Sequence, residues 1–262
     1  MLPEVRILAG PARCGKTGQL LVEYRRALAT GPLGCALWLS PTHRAAAEVR
    51  AALLDSTLGG CFQPQCLTFD QFARRVLDAS SLAIRNLPVP LVRHFVNQLI
   101  RQALERDELR YFRPIAHTRG FLDLVVGAIQ EFKRLEIWPE HLAEALGRRP
   151  SLKDRELCLL YQRYQQQLTV HHLYDAQGRF WQARALLRAG QRQPIERLSH
   201  VFVDGFTDFT RTEHEMLEIL ARRGAALSIT LPLAAGQQRG ELFAKTNSTL
   251  AQLRRRHPGL LV

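Results

Sequence analysis

Lysine is nearly missing from this chain of 262 residues: only four of its 36 basic side chains are lysine (Lys16, Lys133, Lys153, Lys245), and the rest are arginine. No run of eighteen or more apolar residues occurs, which excludes a membrane-spanning helix. The opening Met1-Leu2-Pro3-Glu4-Val5 lacks a basic leader followed by an apolar stretch and a small-residue cleavage site, so no secretory signal is expected. Cysteine is sparse and odd in number (Cys14, Cys35, Cys61, Cys66, Cys158), with no C-x-x-C pair. That pattern argues against a disulfide framework or zinc site and makes a reducing cytoplasm the expected compartment. The nine histidines contain no H-E-x-x-H, and the neighbours His171 and His172 have no ligand spacing around them. Internal repeats and low-complexity linkers are also missing.

What is present is positive charge. Against 36 basic residues stand 24 acidic ones, giving +12 and a pI near 10.2. Such an excess suits a polyanionic partner, most simply nucleic acid. The plainer alternative is an arginine-biased composition with no special partner, and charge alone does not decide between them.

The first ninety residues alternate in type. Val5–Ala9, Cys35–Leu39 and Gln65–Phe69 are short apolar runs of the buried-strand kind. Between them, Gln19–Leu28 has helical spacing, with Leu20, Leu21, Tyr24, Ala27 and Leu28 on one side. Thr42 is placed to cap a helix reaching about Leu54, and Asp70 to cap one reaching about Ala79. From about Leu87 the alternation gives way to helical patterns at Leu91–Leu109, Thr118–Leu135, Pro139–Leu146, Leu152–Leu168 and, more weakly, Phe180–Leu187. Seventeen arginines lie from Arg85 to Arg197. Strand and helix then alternate again: His200–Val203, Thr212–Arg222, Leu227–Leu231 and Glu241–Arg256. The reading is an α/β domain with a parallel sheet, residues 1–85 plus 196–262, interrupted by an all-helical insertion over 86–195.

Gly10-Pro11-Ala12-Arg13-Cys14-Gly15-Lys16-Thr17 satisfies G-x-x-x-x-G-K-[ST] in full, after a predicted strand and at the start of a predicted helix. Glycines let the backbone curl around phosphates, and amide N–H groups at the helix start face the anion. Lys16 is expected to reach the β- and γ-phosphates of ATP and Thr17 to ligate Mg²⁺. Asp204, ending the run His200–Val203, is the candidate for the second metal-holding group. In hydrolysing enzymes of this type a glutamate follows that aspartate and orients water, but here Gly205 follows. The site is therefore equipped to bind nucleotide and poorly equipped to split it. Asp208 and Glu213 are the nearby substitutes, and Gly205→Glu is the change that would supply the missing group.

Read together, these segments resemble the N-terminal part of superfamily 1 helicase-like proteins, and most of all the B subunit of AddAB/RexAB-type ATP-dependent helicase–nucleases. The resemblance rests on Ile7–Thr17, on Ser40-Pro41-Thr42 with Ala47-Glu48-Val49-Arg50, and on Thr68-Phe69-Asp70-Gln71-Phe72-Ala73. Phe202-Val203-Asp204-Gly205-Phe206-Thr207-Asp208-Phe209-Thr210 is its most specific piece, similar to the family's V-D-G-F-x-x-F-T where an active helicase shows D-E-x-Q-D. Cys14 stands where the family commonly has a smaller residue.

The resemblance implies a RecA-like P-loop domain that binds ATP, Mg²⁺ and DNA (a single strand or a duplex end). It also implies work beside an AddA/RexA-type motor subunit. Pro41, Thr42, Thr68 and Phe69 occupy the matching DNA-contact segments: the threonines as donors to phosphate, Phe69 as a stacking ring, with helix capping and core packing as the equal alternatives for these residues. The stretch to Val262 includes neither a second RecA-like domain nor the family's iron–sulfur nuclease, so nuclease activity is not expected of it. An active DNA-dependent ATPase is the enzymatic alternative, and a DNA-binding scaffold with a vestigial P-loop the non-enzymatic one. A small-molecule kinase would need neither the +12 charge nor so long an insertion.

Overall fold

Short apolar strands flanked by glycine or a capping residue build the first of two units. The computed structural model describes residues 4–54, 60–62, 64–80, 85–233, 243–257 and 259–261. It divides into Met1–Ser80 with Gln182–Val262, and Ser81–Trp181.

In the first unit, β1 (Val5–Gly10), β2 (Ala36–Leu39), β3 (Gln65–Leu67), β6 (His200–Val203) and β7 (Ala226–Pro232) form one sheet in the order β1-β7-β6-β2-β3. Every pairing is parallel; Val201, for example, lies opposite both Leu37 and Leu227. Strands covered on both faces have no polar side to alternate with, which is why β2 reads Ala-Leu-Trp-Leu and is buried throughout. Against one face, α1 (Lys16–Thr30) and α2 (His43–Ala52) bring Leu20, Tyr24, Ala46 and Val49 onto Trp38, Cys66 and Phe202. The Tyr24 ring lies 5.5 Å from that of Trp38 and 5.3 Å from that of Phe202. The unit is completed by α3 (Phe69–Asp78), α9 (Arg211–Arg222) and α10 (Ala244–Arg256). Because all strands are parallel, the loops leaving β1, β2, β3 and β6 open at one edge, where ligands approach sheets of this kind.

Thr42 caps α2, accepting the Ala45 N–H at 3.1 Å. Asp70 does not cap α3. The cap is Thr68, whose hydroxyl accepts the Gln71 N–H while the Gln71 side chain accepts the Thr68 N–H. This reciprocal box satisfies two helix-end donors at once, and it ends β3 at Leu67 instead of Phe69. Glu241 and Leu242, expected in the last helix, lie outside the described residues.

The second unit holds α4 (Val89–Glu105), α5 (Arg119–Arg134), α6 (Pro139–Leu146) and α7 (Leu152–Val170) around a core that includes Leu99, Ile100, Phe121, Val125, Ile129, Tyr161 and Tyr164. It is not wholly helical. β4 (Arg85–Asn86) and β5 (Leu173–Tyr174) pair in parallel, with the Leu87 N–H donating to the Tyr174 carbonyl at 2.7 Å. α8 (Ala176–Arg188) follows, longer than the expected Phe180–Leu187, and crosses the boundary between the units. Lys133 is buried in this second unit, 2.7 Å from Asp175, which also accepts from the Tyr164 hydroxyl and the Gly178 N–H. Burial pushes the Lys133 ammonium pKa down, and the Asp175 carboxylate opposes that.

Candidate functional site

The loop from Gly10 to Gly15 joins β1 to α1 and is exposed along most of its length. Gly15 is the end where the backbone calls for glycine; at Gly10 an added side chain would only displace the Cys14 thiol. A side chain at Gly10 would bring its Cβ to 2.7 Å from the Cys14 sulfur, and Gly15 has φ +91°, where an L-residue is strained. Arg13 also takes a positive φ, 61°. Lys16 curls back over the loop, its Nζ donating to the carbonyls of Gly10 at 2.8 Å and Pro11 at 2.6 Å. Pro11 and Ala12 lie exposed along the loop's outer turn.

Across the sheet edge, Asp204 follows β6. The Thr17 hydroxyl lies 3.1 and 3.0 Å from its two oxygens, although 187 positions separate the residues in sequence. So the loop, Lys16, Thr17 and Asp204 are brought together. A residue that the sequence did not single out completes the group. Thr230 of β7 donates to Asp204 Oδ1 at 2.5 Å, and its oxygen lies 3.3 Å from the Gly205 N–H. Its signal in the sequence is a hydroxyl amid the apolar run of a buried strand, close to the carboxyl end of that strand.

Gly205 is more than a missing carboxylate. Its φ is +85°, and an added Cβ would lie 3.3 Å from Pro41 Cδ. Glutamate here would therefore be strained, which removes Gly205→Glu as a simple restoration. The two substitutes are occupied elsewhere. Asp208 pairs with Lys245 at 2.8 Å, and Glu213 accepts the Thr210 N–H at 2.8 Å in the capping box of α9. Burial pushes the Glu213 carboxyl pKa up.

The four DNA-contact candidates separate. Pro41 and Thr42 stand exposed where β2 ends. Thr42 accepts from Ala45, which leaves its hydroxyl proton for another acceptor. Thr68 is buried in its capping box. Phe69 is 3% exposed, with Phe206 and Phe209 at 5.4 and 6.2 Å edge-on to it. Its ring packs in the core and offers no face to a base. Among the described residues, no helix is long and apolar enough to cross a membrane, and no group of three or more His, Cys, Asp or Glu side chains is placed to hold a metal.

These features define a parallel α/β protein whose strand ends gather a glycine loop, a lysine, two hydroxyls and a carboxylate. The chain belongs to the family described as ADDB, N-terminal, whose profile matches residues 7–257. It is 30% identical over 261 residues to the B subunit of the ATP-dependent helicase/deoxyribonuclease of Desulforudis audaxviator, covering 95% of this chain and 22% of that protein. It is 31% identical over 242 residues to the protein of the same name from Symbiobacterium thermophilum, covering 89% and 20% respectively. With the Moorella thermoacetica protein of that name it shares 28% over 265 residues, 95% of this chain and 23% of the other. The chain thus spans roughly a fifth of the length of these relatives.

Proposed function

We propose that the first unit is a RecA-like P-loop domain, interrupted by the helical insertion. In this reading it binds Mg·ATP and helps bind DNA as the helicase-like part of a cytoplasmic double-strand-break repair helicase–nuclease, working alongside an AddA/RexA-type motor. The observation that carries the nucleotide reading is the contact between Thr17 and Asp204 at the end of a complete G-x-x-x-x-G-K-T loop.

The glycines allow phosphate to approach the backbone, and the first N–H groups of α1 point toward it with the positive end of the helix dipole. Lys16 exchanges its two loop carbonyls for phosphate oxygens. Thr17 and Asp204 are hard oxygen donors of the kind Mg²⁺ accepts, and few protein ligands suit an ion that keeps water and phosphate in its shell. When bound, the ion neutralises charge on the phosphates. Hydrolysis is a different matter: Gly205 has no side chain, and Asp208 and Glu213 are both engaged. Bound nucleotide therefore acts as a structural or regulatory ligand. For DNA, Pro41 and Thr42 remain as contacts at the sheet edge. The names of the relatives, with their reference to ATP and deoxyribonuclease, support both parts of the proposal.

The test is fluorescent-ATP titration with Mg²⁺, beside steady-state turnover with and without single-stranded DNA, for the wild type and Lys16→Ala. Expected are nucleotide binding weakened about tenfold or more by the substitution, which corresponds to a lost charge-assisted contact, and no DNA-stimulated turnover. Binding indifferent to Lys16→Ala overturns the site. Turnover abolished by Lys16→Ala makes the domain a motor.

A further inference from the structure

The loop between α4 and α5 is pinned from inside by a buried carboxylate. After Arg106 caps α4, Asp107 turns the chain with φ 57°. The Asp107 N–H bonds back to the Leu104 carbonyl and the Glu108 N–H to that of Ala103, which closes the helix end. Glu156 of α7, 4% exposed, then accepts three successive backbone N–H groups, from Arg110 and Tyr111 at 2.7 Å each and from Phe112 at 2.9 Å. Leu109, Phe112 and Ala116 sink into the core of the unit. Arg163 of α7 holds Glu108 through two bonds, at 2.6 and 2.5 Å. A backbone tied at so many points has one shape.

Outward, this fixed loop presents an aromatic ring with guanidinium groups beside it. Four of the chain's five tyrosines are buried, but Tyr111 is 54% exposed. Its ring stands perpendicular to that of buried Phe112, with centroids 5.0 Å apart. Arg110 precedes it and Arg113 follows, their side chains 74% and 64% exposed. Both reach Asp107, Arg113 closely and Arg110 at 3.8 Å. One carboxylate neutralises one guanidinium, so these three residues carry a net positive charge. Glu108 does not offset it, because Arg163 already pairs with that carboxylate. Core packing accounts for Phe112, and Glu156 accounts for the shape of the loop. Neither calls for a ring at position 111.

We infer that the α4–α5 loop is a binding element for single-stranded DNA, with Tyr111 stacking on a base and Arg110 and Arg113 meeting the phosphates beside it. Every base has a π-face, so a ring of this kind accepts any of them. The planar guanidinium forks match phosphate oxygens. A loop fixed before the strand arrives loses little freedom on binding it. Bases within a duplex are stacked on one another, so the outward ring selects an unpaired strand. No base edge is read, and the contact does not choose sequence. The element belongs to the second unit, whereas Pro41 and Thr42 belong to the first. The inference rests on the DNA-binding reading above and adds a site to it.

The test is binding of the full chain to labelled oligo(dT) and to an abasic oligonucleotide of equal length, which keeps the phosphates and lacks the bases. Tyr111→Ala is expected to weaken oligo(dT) binding about five- to a hundredfold, the worth of one stacked base, and to leave abasic binding unchanged. Tyr111→Phe, which keeps the ring, is expected to bind as the wild type does. If circular dichroism shows Tyr111→Ala misfolded, Tyr111→Gln takes its place with the same expectation. Arg110→Gln with Arg113→Gln is expected to lower the salt slope of oligo(dT) binding by about 1, since each single-strand phosphate contact contributes about 0.7. Arg148→Gln with Arg149→Gln, exposed elsewhere in the same unit, keeps the wild-type slope. An equal fall in that control reads net charge alone and overturns the inference. A folded Tyr111→Ala chain with wild-type oligo(dT) affinity, or with equal losses on both oligonucleotides, also overturns it while the DNA reading stands. A wild-type chain with no salt-dependent binding to either overturns both. Unchanged oligo(dT) affinity with weaker pairing to a motor subunit assigns the loop to a protein contact, and overturns the DNA contact.

Discussion

Asp204 ends a strand that β7 separates from β1, and Thr230 on that intervening strand fixes the carboxylate in place. The arrangement makes Thr230 a positioning residue that acts through Asp204. Thr230→Val keeps the shape but removes the donor to Asp204 and the acceptor of the Gly205 N–H. The expected outcome is a stability loss of about 1 kcal/mol, the net worth of one hydrogen bond, because half-buried Asp204 and the exposed Gly205 N–H can turn to water, read from the urea midpoint. Weaker Mg²⁺-dependent nucleotide binding should accompany it, with Thr230→Ser restoring both. If binding survives Thr230→Val unchanged, Asp204 is oriented by Thr17 alone. That the loop ending in Lys16 and Thr17 would meet Asp204 was legible beforehand, because a G-x-x-x-x-G-K-T loop after one strand and an aspartate at the end of another come to the same edge of a parallel sheet. Thr230 was not, because its role comes from the strand order, and nothing in a linear pattern places β7 between β1 and β6. Phe69 misleads for the reverse reason. Its motif is visible, but whether a ring at a strand end faces out or in depends on Phe206 and Phe209, far along the chain.

At the scale of elements, α9 and α10 bury a titratable group between them. His214 on α9 is 1% exposed, edge-on to Phe209 at 5.3 Å. Burial holds its pKa down at about 4; the Arg256 and His257 charges push the same way, and Gln252 and Asp208 oppose them. With a folded pKa below the unfolded value near 6.5, the unfolded chain binds a proton that the folded chain refuses. Stability therefore falls as pH drops from about 6.5 toward 4. The loss over that window is on the order of 3 kcal/mol from this residue. His214→Phe should flatten the decline in a pH series of urea midpoints, and an unchanged slope would place the acid sensitivity in the carboxylates. Long periodic helices such as α5 and α7 were visible in the sequence. Two-residue strands such as β4 and β5 were not, since nothing local distinguishes Arg-Asn or Leu-Tyr as paired. The cap of α3 was legible in principle: Thr68 followed by Gln71 spells the capping box, and Asp70 only looked equivalent because aspartate is itself a good cap.

For the whole molecule, the division into two units carries its own consequence. Residues 81–181 enter and leave through neighbouring strands, because Arg85 is paired with Leu173 and Asn86 with Tyr174. The ends of the insertion are thus held together by its own backbone, and its core of α4, α5 and α7 side chains is internal to it. We expect residues 81–188, which keep α8 whole, to fold cooperatively when expressed alone, with helical circular dichroism and a single thermal transition. The buried pair then supplies a specific check. Lys133→Met strands Asp175 without its cation, although Tyr164 and Gly178 still donate to it. Removing one partner of a buried ion pair costs about 3–5 kcal/mol, a large share of what a domain of this size has to lose. The variant fragment is therefore expected to melt far lower or to remain unfolded, while Lys153→Met, at an exposed site, leaves the transition in place. A wild-type fragment without cooperative unfolding would mean that the helical segment draws its order from the rest of the chain, and the two units would then have to be treated as one folding domain.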